Sequence, residues 1–170
     1  KACKNDVERE NTKEAFHKDA IALVKFFNWV EMGSKTGNLS EYQTVEKLLE
    51  LRKKGKNFIE NSFGTISAYR ENAAMPHYAP SPNESKRIED SGLFLCDSGG
   101  HYLEGTTDIT RTIALGHLTK EEKYHYTMTL KAHIMAMSAV FKAGTTGQYI
   151  DDVCRYHLGR HGLDFGHSTG

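Results

Sequence analysis

Two aspartates near the middle of the chain carry its first chemical signal. Asp97 ends an apolar run, Leu93-Phe-Leu-Cys96, and Asp108 sits inside a β-branched run from Thr106 to Ile113, in an Asp-x10-Asp spacing. The Ser98-Gly-Gly100 segment reads as the turn between them, which makes the two runs arms of a β-hairpin. Carboxylates facing each other across a hairpin repel. A shared divalent cation removes that penalty and takes their oxygens as ligands. Residue types alone leave two other arrangements open, namely exposure to solvent and pairing with Arg111. Two carboxylates do not complete a catalytic metal site, so further ligands must come from elsewhere.

The histidines divide by context. His77 lies in Ala73-Ala-Met-Pro-His-Tyr-Ala-Pro80, where two prolines stiffen the chain and forbid a helix interior. A histidine held in such a loop suits acid–base work or stabilisation of an oxyanion, and it also fits a plain surface role. His161 and His167 sit among glycines in His161-Gly-Leu-Asp-Phe-Gly-His167, a spacing that matches no zinc motif. His125, His133 and His157 fall within helical patterns and read as packing or surface residues. Met128, Met135 and Met137 read as core filler or an interface. Ser98-Gly-Gly100 is followed by a strand pattern and lacks the phosphate-loop lysine.

The elements that must hold these residues follow from patterning. Asn11-Thr-Lys-Glu14 has capping-box spacing and predicts a helix through Phe16, Ala20, Leu23, Phe27 and Val30 to near Gly33. Ser40-Glu-Tyr-Gln43 opens a second helix, stopped by Gly55. Its basic end, Arg52-Lys-Lys-Gly-Lys56, reads as a solvated C-terminus facing the helix dipole. A short strand falls at Phe63–Ala68. After the hairpin, Thr119-Lys-Glu-Glu122 caps a third helix, and a fourth carries Ile150, Val153, Cys154 and Leu158 up to Gly159. The order predicts an α+β fold with helices packed on one side of a mainly antiparallel sheet. No repeat or low-complexity linker divides residues 1–170.

Composition narrows the partners. Lysine plus arginine equals aspartate plus glutamate, 22 of each, with no long block of either sign, which argues against nucleic acid and against an anionic membrane. The three cysteines form no CxxC motif or disulfide framework, which suits a reducing compartment and a cytoplasmic location. The start lacks an initiator methionine, and the Gly/His-rich run at 161–170 closes no strand. The first suggests that the true N-terminus lies elsewhere, and the second predicts a domain cut before its site is complete.

Three segments carry a resemblance: Ala74-Met-Pro-His-Tyr-Ala-Pro80, Leu95–Thr112 with its Gly-Thr-Thr-Asp-Ile-Thr-Arg-Thr, and Gly162-Leu-Asp-Phe-Gly-His-Ser-Thr-Gly170. The chain resembles, almost end to end, the catalytic domain of Xaa-Pro aminopeptidases in the pita-bread (creatinase/aminopeptidase) superfamily, which also holds methionine aminopeptidase and prolidase. The resemblance implies the N-terminal part of that catalytic domain over residues 1–170, a partial pita-bread fold. It implies that Asp97 ligates one metal and that Asp108 bridges two. It makes His77 the residue that positions substrate and stabilises the tetrahedral intermediate, and His167 a residue lining the substrate pocket. A ligand histidine would fall immediately beyond Gly170, with two glutamates later still.

The activity so implied is release of the first residue from peptides with proline in second position. It would use two divalent ions, manganese first, with zinc or cobalt as alternatives. A homodimer is a common assembly in the family. The 170-residue chain alone is expected to bind metal weakly or not at all, to be inactive, and to self-associate through open edges. A non-catalytic pita-bread binding module and a prolidase-type dipeptidase are the competing expectations.

Overall fold

Asn5, not Asn11, opens the first helix. Its side chain accepts from the Glu8 backbone N–H while Glu8 returns a bond to the Asn5 N–H, a complete capping box. Asn5-Asp-Val-Glu8 has the same spacing as Asn11-Thr-Lys-Glu14, and residues 6–10 are exposed, so no buried stripe marks this first stretch as helix. The computed structural model describes residues 3–168. Its elements are α1 (Asp6–Ser34), β1 (Leu39–Ser40), α2 (Glu41–Lys53), β2 (Phe58–Asn61), β3 (Ile66–Tyr69), a 3-10 turn at Arg70–Ala74, β4 (Arg87–Ile88), β5 (Leu93–Ser98), β6 (Gly100–Tyr102), β7 (Gly105–Thr106), β8 (Ile109–Ala114), α3 (Lys120–Met137) and α4 (Gly147–Gly159). Ser40 and Thr119 cap α2 and α3 with reciprocal boxes, as their spacing predicts.

The chain forms two compact units, Lys1–His117 and Leu118–Gly170. In the first, the named strands among the described residues all pair antiparallel, a single parallel bridge joins Ser91 to His117, and the main sheet runs β3-β5-β8. Leu23, Phe26 and Val30 of α1 and Leu48 of α2 bury against Tyr69, Phe94 and Cys96 on one sheet face. The burial of β5 alternates strictly: Phe94, Cys96 and Ser98 turn into this core, while Leu93, Leu95 and Asp97 turn the other way. In the second unit, Met128 and Ala132 of α3 pack on Leu158 of α4. Met128 is core filler as expected, whereas Met135 and Met137 are exposed. No described helix is long and apolar enough to cross a membrane.

The hairpin is present, but Ser98-Gly-Gly100 does not turn it. One register runs from Leu93↔Ala114 through Ser98↔Ile109, then through the Thr107 N–H bond to the Gly100 carbonyl at 2.9 Å, to His101↔Thr106 and Tyr102↔Gly105. The turn falls at Leu103-Glu104. At Gly99 the hairpin passes from the β3-β5-β8 sheet to the β2-β6-β7 sheet. The glycines serve close approach rather than reversal: a Cβ at Gly99 would meet the Thr107 carbonyl oxygen at 2.0 Å and Ser62 Oγ at 2.2 Å. Glycine-rich sequence carries both meanings, and only the neighbouring strand distinguishes them.

Candidate metal centre

Asp97 and Asp108 flank the bend. Thr110 pairs with Asp97, and Asp108 lies two residues before Thr110, opposite Gly99. The alternation of side chains therefore sets both carboxylates on the sheet face away from the α1–α2 core. Diagonal neighbours of this kind stand roughly 7–8 Å apart between Cα atoms, and Gly99 adds no side chain between them. Asp97 is half-buried and Asp108 exposed. Arg111 does not neutralise them. It opposes Cys96 on the other face and donates from Nη1 to the Thr110 carbonyl at 2.8 Å.

Asp97 Oδ1 is buried and has no hydrogen-bond partner. A buried carboxylate oxygen without a donor is costly, and a hard divalent cation bound by this oxygen would satisfy it. The donor set therefore fits such an ion. Among the described residues, no three or more His, Cys, Asp or Glu side chains gather in a metal-holding group, so the two carboxylates are what this region itself offers.

Directly behind the bend lies a charged pair that patterning misread. Arg52 is not solvated at a helix end; it and Asp19 are both fully buried. Arg52 donates from Nε to Asp19 Oδ1 at 2.7 Å and from Nη2 to Oδ2 at 3.1 Å. Nη2 also reaches Ser98 Oγ at 3.0 Å. Thr107 donates to Asp19 Oδ2 at 2.7 Å and Tyr102 to Oδ1 at 3.1 Å. Burial together with the Asp19 charge raises the Tyr102 phenol above its ordinary range, and burial pushes the Cys96 thiol up to about 12. One sequence signal was available. Asp19 stands on the stripe that buries Ala15, Ala22, Leu23 and Phe26, and an acid there demands a partner.

His77 is exposed, at a left-handed φ of 63°, in the loop that leaves β3. Glu41, the first residue of α2 and fully buried, fastens that loop. Its carboxylate accepts from Tyr69 N–H at 2.7 Å, Asn72 Nδ2 at 3.0 Å, Tyr78 Oη at 2.8 Å and Lys86 N–H at 2.9 Å. Desolvation, then the bond to Glu41, pushes the Tyr78 phenol up to about 12. His167 belongs to the second unit and is exposed. Its carbonyl accepts from Arg155 Nη2 at 2.6 Å, and its Nδ1 meets the Ser168 carbonyl at 2.7 Å. The hairpin register thus makes Asp97 and Asp108 diagonal neighbours, while His77 and His167 stand on separately organised segments.

A helix-backed antiparallel sheet with two aspartates flanking the bend of its hairpin is the α+β frame of the chain. The chain belongs to metallopeptidase family M24, whose family model matches residues 10–170. Over its whole length it is 44% identical to Probable Xaa-Pro aminopeptidase P of Arthroderma otae, covering 28% of that protein. It superposes on the X-prolyl aminopeptidase of Caenorhabditis elegans, described as a cytosolic enzyme with a di-nuclear active site, with a TM-score of 0.91 and 38% identity. That match covers 99% of this chain and 28% of the other. The prolidase of Pyrococcus furiosus matches with a TM-score of 0.77 and 28% identity over 94% of this chain and 44% of its own. The α+β fold is the pita-bread fold of these relatives. The chain spans 23% to 28% of the length of the curated relatives it matches.

Proposed function

We propose that the protein carrying this chain is a metal-dependent aminopeptidase that releases the first residue of peptides with proline in second position. Residues 1–170 form the N-terminal part of its catalytic domain. Asp97 and Asp108 are its carboxylate ligands, and the orphaned Asp97 Oδ1 is the observation that carries the reading. When bound, a pair of divalent ions, manganese first, would polarise the scissile carbonyl and lower the pKa of water. Two carboxylates leave much of that coordination to other residues of the whole protein.

His77 serves the substrate side. An imidazole N–H there can donate a hydrogen bond to a carbonyl oxygen that gains negative charge. Its loop is pinned by Glu41, through the neighbouring Tyr78 hydroxyl and the Lys86 N–H. His167 is assigned to the substrate pocket. The amide before proline has no N–H, so recognition must rest on the ring shape rather than on a backbone donor. A cytoplasmic location is proposed from the cytosolic description of the Caenorhabditis elegans relative and from the three free cysteines.

The test is calorimetric titration of the whole protein with manganese, together with release of the first residue from an Xaa-Pro-containing oligopeptide. Tight binding and turnover, both lost in Asp97→Ala, support the reading. Similarity to the Pyrococcus furiosus prolidase favours a second one, cleavage of Xaa-Pro dipeptides only. Turnover of the dipeptide with none of the oligopeptide would decide for it. Manganese binding without any turnover would decide for a binding module.

A further inference from the structure

On the metal-dependent reading above, we propose that the buried Asp19–Arg52 pair positions both candidate ligand carboxylates. Its two arms end on the residues beside them. Arg52 Nη2 holds the hydroxyl of Ser98, one residue after Asp97. Asp19 Oδ2 holds the hydroxyl of Thr107, one residue before Asp108. Thr107 Oγ1 in turn accepts from the Gly100 N–H at 2.9 Å, which ties the two arms of the hairpin at its bend. Both hydroxyls lie on the face opposite the carboxylates, so the pair sits behind the sheet and sets the spacing of what projects in front.

Stability does not account for the arrangement. A buried ion pair seldom outweighs its desolvation cost, and apolar residues of similar volume commonly replace one without loss. Arg52 Nη1 is moreover buried with no hydrogen-bond partner. What the pair supplies is direction: a bidentate guanidinium–carboxylate unit is rigid, and it joins α1 and α2 to both arms of the hairpin that carries the aspartates, through Ser98 at the end of β5 and Thr107 just before β8. Groups that orient metal ligands change metal affinity when removed even though they never touch the metal.

The test uses the full-length protein and variants that keep the pair but cut its arms. Ser98→Ala and Thr107→Val are each expected to weaken manganese binding about 10- to 100-fold, to alter the manganese paramagnetic resonance spectrum, and to lower kcat with KM little changed. Thr107→Ser keeps the hydroxyl and should restore all three. Val30→Ala, a core change in α1 remote from the hydroxyls, controls for lost stability and should leave metal affinity intact. Wild-type affinity in both cut variants, or an equal loss in Val30→Ala, overturns the positioning role. If the wild type itself neither binds manganese nor cleaves peptide, the metal-dependent reading fails first and the positioning role falls with it.

Discussion

Tyr78 donates its phenolic hydrogen to the buried carboxylate of Glu41 at 2.8 Å, and this bond restrains the residue next to His77. Tyr78→Phe removes a hydrogen bond to a charged acceptor, so it should cost about 1–3 kcal/mol and reduce turnover more than substrate binding. The effect is pH-dependent. The folded phenol sits at about 12, above its unfolded value of roughly 10. Its contribution is therefore complete below pH 10 and lost as pH rises through 12, because the unfolded state releases the proton first. Chemical denaturation from pH 8 to 12 should show wild type and variant converging over that window.

Gly99 has no room for a methyl group. A Cβ there would meet the backbone of Thr107 at 2.0 Å, and backbone cannot step aside as a side-chain tip can. Gly99→Ala should destabilise the protein by about 1–3 kcal/mol and separate the strands at the bend. Manganese affinity should fall along with thermal stability. Gly37, where a Cβ meets nothing within 4 Å despite its φ of 66°, offers the comparison: Gly37→Ala should strain only its own turn and leave metal affinity unchanged.

Asp97 should have opposite effects with and without metal. In chelator-treated protein, Asp97→Ala removes a buried acceptor that has no donor, and stability should hold or rise by about 1 kcal/mol. With manganese at a hundredfold excess over its Kd, the wild type should gain about 2.7 kcal/mol, and the variant should gain far less. Thermal unfolding of both proteins, with chelator and then with manganese, measures the crossover. A variant less stable than wild type under both conditions would count against the ligand role.

Cysteine reactivity should separate by burial. Cys3 is exposed, whereas Cys96 is buried and its thiol is pushed up to about 12 by burial. The thiolate is the reactive form. Ellman's reagent at pH 8 should therefore label Cys3 quickly and Cys96 only after denaturation.

Much of this arrangement is local and therefore legible along the chain. Capping boxes at Ser40 and Thr119 need only four residues to declare themselves. The β-branched run before Ile113 and the apolar run before Asp97 announce two strands, and Asp-x10-Asp singles out the two carboxylates, although Asp108 stands just before β8 and not within it. The bend at Gly99, by contrast, depends on Thr107, whose carbonyl oxygen occupies the space that a side chain would need. Glu41 and Tyr78 likewise meet only once β3 and α2 have packed.

Arg52 marks the limit most sharply. In one dimension it heads a basic run at a helix end, where solvation costs least. In three dimensions it is fully buried, because Asp19, thirty-three positions earlier, stands on the inward face of α1 and needs a countercharge. Sequence by itself determined the four helices and the two arms of the hairpin, and it singled out Asp97, Asp108 and His77 as candidates, since each rests on near neighbours and on side-chain period. The short strands at 39–40, 58–61 and 87–88 and the exact bounds of β3 (Ile66–Tyr69) did not show there. Tertiary structure alone decided how far apart the carboxylates stand and what holds them there, since desolvation of a charge is set by everything packed around it.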